Sequence, residues 1–219
     1  MTENKKQNKI VHELIKKIDS DPQKAENYFD LSALLIEQQS FDQAEELLNK
    51  ALGSVQDADG VDLIQFGLGN LYYTQSEYDK TIQIMQRINS EKLQPDANQM
   101  IAQSYFAQNK YQIAFAFALT AQEKKQPNDI SINSLLGDIT LAMGDLDSAE
   151  HYYDIVLSGD SRNASSLFNR GIIEMVLHDG GLDNHFFKDA KAFDSELFEK
   201  NKNRLIDIDS LINNGRDSE

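Results

Sequence analysis

Four pairs of small residues recur through the chain at one fixed spacing. In each pair the second residue follows the first by 12 positions. The pairs are Ser32 with Ala44, Gly69 with Thr81, Ala102 with Ala114, and Gly137 with Ala149. Because small side chains let two helices approach closely, a constant separation predicts antiparallel helices that touch at a fixed register. The chain is therefore expected to be a series of helical hairpins.

The hairpins follow one another with a looser period. Their first small residues are separated by 37, 33, 35 and 34 positions, and the last interval ends at Gly171. A loop between hairpins lies on the surface and tolerates an extra residue, which explains the variation. We predict one domain over residues 1–219, with repeats at 25–58, 62–95, 95–128 and 130–163 and a degenerate fifth repeat at 164–193.

Both ends of the array are predicted to be capping helices, because a stack of repeats must cover its terminal faces. The first is expected over 9–18, with an apolar stripe of Ile10, Val11, Leu14, Ile15 and Ile18. Val11, Ile15 and Ile18 precede Ala44, Leu48 and Ala51 by 33 positions, which favours the register of a trailing helix. The second is expected over 195–212, with Leu197, Phe198, Leu205, Ile208 and Ile212 as its apolar residues.

Charge and composition narrow the classes of function. The formal net charge is −15, so the surface repels nucleic acid and anionic lipid. The chain has no cysteine, which removes disulfides and thiolate metal sites. No apolar run approaches the ~20 residues of a membrane span, and the N-terminus has no signal-peptide core. We expect a cytoplasmic protein that binds neither nucleic acid nor membrane.

The repeated motifs resemble those of the tetratricopeptide repeat (TPR) family. The matching stretches are Tyr28-x-x-Leu31-Ser32-x-x-Leu35, Leu68-Gly69-x-x-Tyr72 and Ile101-Ala102-x-x-Tyr105, with Pro95 and Pro127 at the signature proline. Departures are Gln65, Asn98 and Asn133 at the usual aromatic position, and Arg170 and Glu174 in place of the fifth leucine and tyrosine. The resemblance implies an all-α, right-handed solenoid of antiparallel helix pairs.

Catalytic chemistry is not expected. His178 and His185 flank Asp179 and Asp183, but their spacing matches no metal-binding signature. Gly180-Gly181 follows no strand and precedes no Lys-Ser/Thr, so it is interpreted as an extended turn and not as a phosphate loop. The prediction is a protein without metal, cofactor or enzymatic activity.

The candidate binding residues are defined by their position relative to the small residue of each leading helix. Leading helices line the inner wall of a solenoid, where stacked positions form columns. Three columns are predicted at three residues before, one after and four after that residue. The candidate site residues are Phe29, Ile36, Phe66, Asn70, Tyr73, Gln103, Phe106, Asp138, Leu141, Phe168 and Met175. The alternative interpretation is that the apolar members are core residues.

The functional hypothesis is a scaffold or adaptor that binds a segment of another protein in this groove. The segment would carry apolar anchors, and the acidic surface favours basic ones. The TPR subclass that clamps the carboxylate of chaperone tails uses Lys, Asn and Arg on this wall. Here Asn70 has no basic cluster around it, so binding of such acidic tails is not expected. A dedicated chaperone for a secreted or assembling substrate is the alternative.

Overall fold

The computed structural model describes residues 3–178, 180–202 and 205, with side chains from residue 9 onward. Within these residues all regular structure is helical, which confirms the all-α prediction. The helices are α1 (Glu3–Ser20), α2 (Ala25–Glu37), α3 (Phe41–Ser54), α4 (Ala58–Thr74), α5 (Tyr78–Met85), α6 (Gln94–Ala107), α7 (Tyr111–Gln122), α8 (Ile130–Met143), α9 (Leu146–Gly159), α10 (Ala164–Leu177) and α11 (His185–Phe193). The chain divides into two compact units, 1–121 and 122–219. The single domain over 1–219 and the repeat boundaries stay predictions.

Helices touch at the small residues, as their spacing predicts. Ala44, Thr81, Ala114 and Ala149 are all fully buried. A Cβ atom added to Gly69 would lie 1.9 Å from Cε of Met85 in the partner helix. Contacts pair α2 with α3, α4 with α5, α8 with α9 and α10 with α11. The hairpin prediction is therefore confirmed for these pairs.

The turn inside each of the first four hairpins contains one residue with a left-handed backbone. These residues are Gln39 (φ 58°), Ser76 (φ 61°), Asn109 (φ 59°) and Gly144 (φ 79°). Each lies seven positions after the small residue of its leading helix. Side chains with a Cβ resist this conformation, and only the fourth turn uses glycine. The other three turns carry backbone strain.

Replacing Gln39, Ser76 and Asn109 together by glycine is expected to stabilise the protein. Relief of strain outweighs the entropy that glycine adds to the unfolded chain, by about 0.5–1 kcal/mol for each turn. Thermal unfolding monitored by circular dichroism would show a higher midpoint. The matched control is Gly144→Ala, which is expected to lower the midpoint. A triple variant that melts below the wild type would contradict the strain argument.

Different side chains close equivalent loops in the two units. Tyr28 is buried, and its hydroxyl donates to the carbonyl of Pro22 at 3.2 Å. Asn133 is the equivalent residue in the fourth hairpin, and its amide donates to the carbonyl of Pro127 at 3.0 Å. The buried Asn133 also donates to Asp129 O at 2.7 Å. An asparagine at the aromatic position therefore keeps the loop contact that the tyrosine makes.

The first capping helix is longer than predicted, and it buries a different face. It spans Glu3–Ser20, whereas 9–18 was expected. Leu14 and Ile18 are buried, but Ile15 is 42% exposed and so does not take the place of Leu48. Ile10 is also exposed. The predicted trailing-helix register is wrong at Ile15, because Leu14 and Ile18, four residues apart, form the buried stripe.

The fifth hairpin keeps its internal register although its turn differs. Helix α11 begins at His185, 14 residues after Gly171, whereas the other trailing helices begin nine residues after their small residue. Phe187 still packs on Gly171, at the 16-residue offset that Tyr153 has from Gly137. The residues that form the first turn of the trailing helix in the other hairpins therefore form a loop here, and the spacing requires no insertion.

The C-terminal end is only partly described. Phe193, the last residue of α11, is 47% exposed and so lies outside the core. Residues 195–202 are helical, which agrees with the start of the last capping helix. The rest of that predicted helix, except Leu205, and Asp179 lie outside the described residues. Leu205 is buried.

Candidate functional site

Seven of the predicted site residues lie on the leading helices of the first unit. They are Phe29 and Ile36 on α2, Phe66, Asn70 and Tyr73 on α4, and Gln103 and Phe106 on α6. All seven side chains are half-buried. A half-buried aromatic residue can anchor a ligand and still hold its own position through packing. This set is called the unit 1 surface below.

Phe66 is the central aromatic residue of the unit 1 surface. Its ring centroid lies 6.4 Å from that of Phe29, within the range of aromatic pairs. On its other side Phe66 packs against the buried cluster of α5 and α6 that includes Ile82 and Ile101. The ring is therefore held by helices on both sides.

The aromatic residues at the ends of α4 and α6 also close their hairpins. The rings of Tyr73 and Tyr78 lie 5.6 Å apart, edge to face. Phe106 and Tyr111 form the equivalent pair, with centroids 5.7 Å apart. Burial, and secondarily the neighbouring Tyr78, raise the pKa of the Tyr73 phenol. These rings therefore pack within the turns of their own hairpins, as the alternative core interpretation expects.

Asn70 and Gln103 are the two polar residues of the unit 1 surface. Within the described residues neither side-chain amide makes a hydrogen bond. Each amide offers two donor hydrogens and one acceptor oxygen. Both groups are thus available to a backbone that lies along the surface.

Two predicted site residues of the second unit are core residues. Phe168 is 2% exposed and Met175 is 3% exposed. Both belong to a buried cluster with Phe187, against which Phe198 also packs. The phenylalanine rings lie 5.6 to 6.2 Å apart, which is ordinary aromatic packing. The sequence pattern predicts that these two residues lie on the inner wall of the solenoid. In the structure, residues that follow α10 cover them.

Asp138 is already engaged inside the second unit. Its Oδ1 accepts from the Tyr153 hydroxyl at 2.7 Å and from the Asn169 amide at 3.1 Å. The Asn169 amide also lies 3.0 Å from the Tyr153 oxygen. Leu141 is half-buried and packs with Leu146 against a core cluster. The second unit therefore has fewer candidate residues available to bind a ligand than the first.

A charged cluster in the second unit was not anticipated. Arg170 is 7% exposed, and its guanidinium contacts Glu150, Asp154 at 2.9 Å and Glu174 at 3.5 Å. The ring of Phe186 lies 4.7 Å from the guanidinium carbon. One feature of the sequence could have indicated this cluster. Arg170 and Glu174 both depart from the repeat pattern, and they lie four residues apart on one helix face, where their side chains can pair.

In the first unit, Tyr72 makes a contact comparable to that of Arg170 with Glu150. Its hydroxyl donates to Glu45 Oε1 at 2.8 Å. Desolvation and this hydrogen bond raise the pKa of Tyr72 to about 12. Glu45 and Glu150 each directly follow the buried alanine of a trailing helix. In both units a donor from the next leading helix holds that carboxylate.

The raised pKa of Tyr72 predicts a loss of stability at alkaline pH. The folded state favours the neutral phenol, so its contribution is complete below about pH 10 and declines as the pH approaches 12. A Tyr72→Phe variant should lose less stability than the wild type over this interval, measured by urea unfolding at several pH values. Glu45→Gln is the control and should shift the phenolate absorbance transition to lower pH. Identical pH profiles for Tyr72→Phe and wild type would refute the assignment.

Within the described ranges there is no group of three or more His, Cys, Asp or Glu residues that could hold a metal ion. Among the same residues, no helix has the length and apolarity needed to span a membrane.

The sequence matches no family model and no curated protein. PilW, a type IV pilus biogenesis factor, is structurally similar with a TM-score of 0.73 and 15% identity, covering 86% of each chain. YrrB, a TPR protein with an unusual peptide-binding site, is similar with a TM-score of 0.63 and 18% identity, covering 88% of this chain and 98% of its own.

A third similar structure covers only part of the chain. The first TPR of Spaghetti (RPAP3), bound to an HSP90 peptide, has a TM-score of 0.50 and 22% identity over 53% of this chain and 95% of its own. The likeness to these structures agrees with the repeat motifs and the helical pairs. The chain has the fold of tetratricopeptide-repeat proteins.

Proposed function

We propose that the protein is a non-catalytic interaction module that binds a peptide segment of a partner protein on the unit 1 surface. The observation that carries this proposal is the combination of half-buried aromatic side chains with two amides that have no partner in the described structure. Aromatic residues supply most of the binding energy at such surfaces, and amides orient a bound backbone.

The chemistry of the surface indicates the kind of segment. Phe29 and Phe66 present an apolar contact between α2 and α4. The net charge of −15 favours a segment with basic residues, through faster association and fewer repulsive contacts. YrrB has an unusual peptide-binding site, and the RPAP3 repeat is bound to an HSP90 peptide. Both support peptide binding as a function that this fold can perform.

The test uses peptides selected from a random display library on the immobilised full-length protein. Selected peptides should contain an aromatic or aliphatic residue near lysine or arginine. Asn70→Ala combined with Gln103→Ala should weaken their binding at least about tenfold, because a backbone group left without its partner loses about 1–3 kcal/mol. Fluorescence anisotropy measures the dissociation constants.

The matched control is Gln83→Ala combined with Gln112→Ala. Both glutamines are exposed on trailing helices, so the control removes the same chemistry away from the surface. Equal affinity of the two double variants for the selected peptides would show that the unit 1 surface is not the binding site. Circular dichroism verifies that both variants remain folded.

A further inference from the structure

A basic surface cavity that is wide open to solvent lies between α1 and α2 of this acidic chain. Its volume is about 420 Å³. The lining residues are Lys16, Lys17, Ser20, Asp21, Lys24 and Asn27. Three lysines thus converge on one cavity while only one carboxylate lines it. The Asp21 carboxylate is already engaged, because it accepts from the backbone N–H of Gln23 at 3.3 Å.

The three lysines have no ionic partner elsewhere in the described structure. None of their ammonium groups lies within salt-bridge distance of a described carboxylate. Lys9 on the same helix, by contrast, pairs with Glu13 at 3.7 Å. The cavity therefore carries uncompensated positive charge on a chain whose net charge is −15.

Lys24, the N-cap residue of α2, is one of the three lining lysines, and no side chain caps the first turn of this helix. Glu26 lies in that first turn but does not line the cavity.

Asn27 is an independent indication of a ligand. It occupies the first turn of α2, lines the cavity and is only 7% exposed. No described residue hydrogen-bonds its side-chain amide. Among the described residues, only Gln65 and Gln108 have a fully buried side-chain atom without a partner, so the Asn27 amide is accessible from the cavity. The amide can donate two hydrogen bonds to a bound group.

We propose that this cavity binds a phosphate-type oxyanion through Lys16, Lys17, Lys24 and the Asn27 amide. The three lining lysines supply more positive charge than the one lining carboxylate neutralises, which favours a group of charge near −2. Lysines act on phosphate as point charges and need no planar partner. The source is either free phosphate or a phosphorylated side chain, since both present the same group. The site lies apart from the proposed unit 1 surface, and neither proposal depends on the other.

The experiment is a titration of the full-length protein with inorganic phosphate, observed by ¹H–¹⁵N NMR at constant ionic strength. The Asn27 side-chain amide and the backbone amides of Ala25 and Glu26 should shift with saturation. A parallel titration with O-phosphoserine distinguishes the sources: tighter binding of O-phosphoserine indicates a phosphorylated side chain, and equal or weaker binding indicates free phosphate. Acetate should produce shifts at least about tenfold smaller at equal concentration.

Two variants make the assignment specific. Asn27→Asp has nearly the same shape, suits the first turn of a helix and repels phosphate, so saturation should be lost while the protein stays folded. Joint replacement of Lys16, Lys17 and Lys24 by glutamine should have the same effect. The control with equal charge change replaces the exposed Lys50, Lys124 and Lys200 by glutamine and should retain binding. Absent shifts at Asn27, or unchanged binding by Asn27→Asp, would overturn the proposal.

Discussion

Arg170→Leu is expected to lower the free energy of unfolding by about 3 kcal/mol. The change removes the one guanidinium that faces Glu150, Asp154 and Glu174 in the described structure. Glu150 and Glu174 have side chains only 23% and 25% exposed, so their charges would be left close together and poorly solvated. Urea unfolding at neutral pH measures the loss.

Arg162→Leu is the matched control for this prediction. It removes the same charge from an exposed residue, whose guanidinium carbon lies 5.6 Å from the Phe193 ring. Its effect should stay within about 1 kcal/mol. Adding Glu150→Gln and Glu174→Gln to Arg170→Leu should restore part of the lost stability, because the uncompensated carboxylates are gone. If Arg170→Leu were no more harmful than Arg162→Leu, the charged cluster would have no role in stability.

Gly137→Ala is expected to destabilise the protein by about 2 kcal/mol although alanine favours helix over glycine. The added Cβ would lie 2.7 to 2.9 Å from three atoms of the Tyr153 ring. That ring is 1% exposed, and its hydroxyl is held by Asp138 and Asn169. Because the ring cannot move aside, the cost of overpacking exceeds the helix-propensity gain of about 1 kcal/mol. Thermal and urea unfolding both measure the difference.

Gly69→Ala provides the comparison, since Gly69 holds the equivalent position in the first unit. Its added Cβ would meet Cε of Met85, the terminal methyl of a flexible side chain. Methionine can change rotamer more readily than a hydrogen-bonded tyrosine, so the net effect should remain within about 1 kcal/mol. A loss at Gly69→Ala equal to that at Gly137→Ala would show that the rigidity of the partner side chain does not determine the cost.

The regular spacing of small residues made the helical pairs predictable. Gly137 and Ala149 could be matched by counting alone, because helix contacts of this kind depend on local periodicity. The seven residues of the unit 1 surface could be named in the same way. What counting could not show is how Tyr73 and Phe106 pack on Tyr78 and Tyr111, since that depends on the direction of the side chains at the turn.

The amino-acid sequence by itself determined the all-α class, the hairpins and the TPR repeat pattern, because each follows from residues close together in the chain. Only the tertiary structure decided which candidates are exposed. Phe168 and Met175 have the pattern of surface residues but are covered by Phe187 and residues that follow it. Arg170 lies at an apolar position because carboxylates from α9 surround it. Burial depends on residues distant in sequence, and a local pattern carries no information about them.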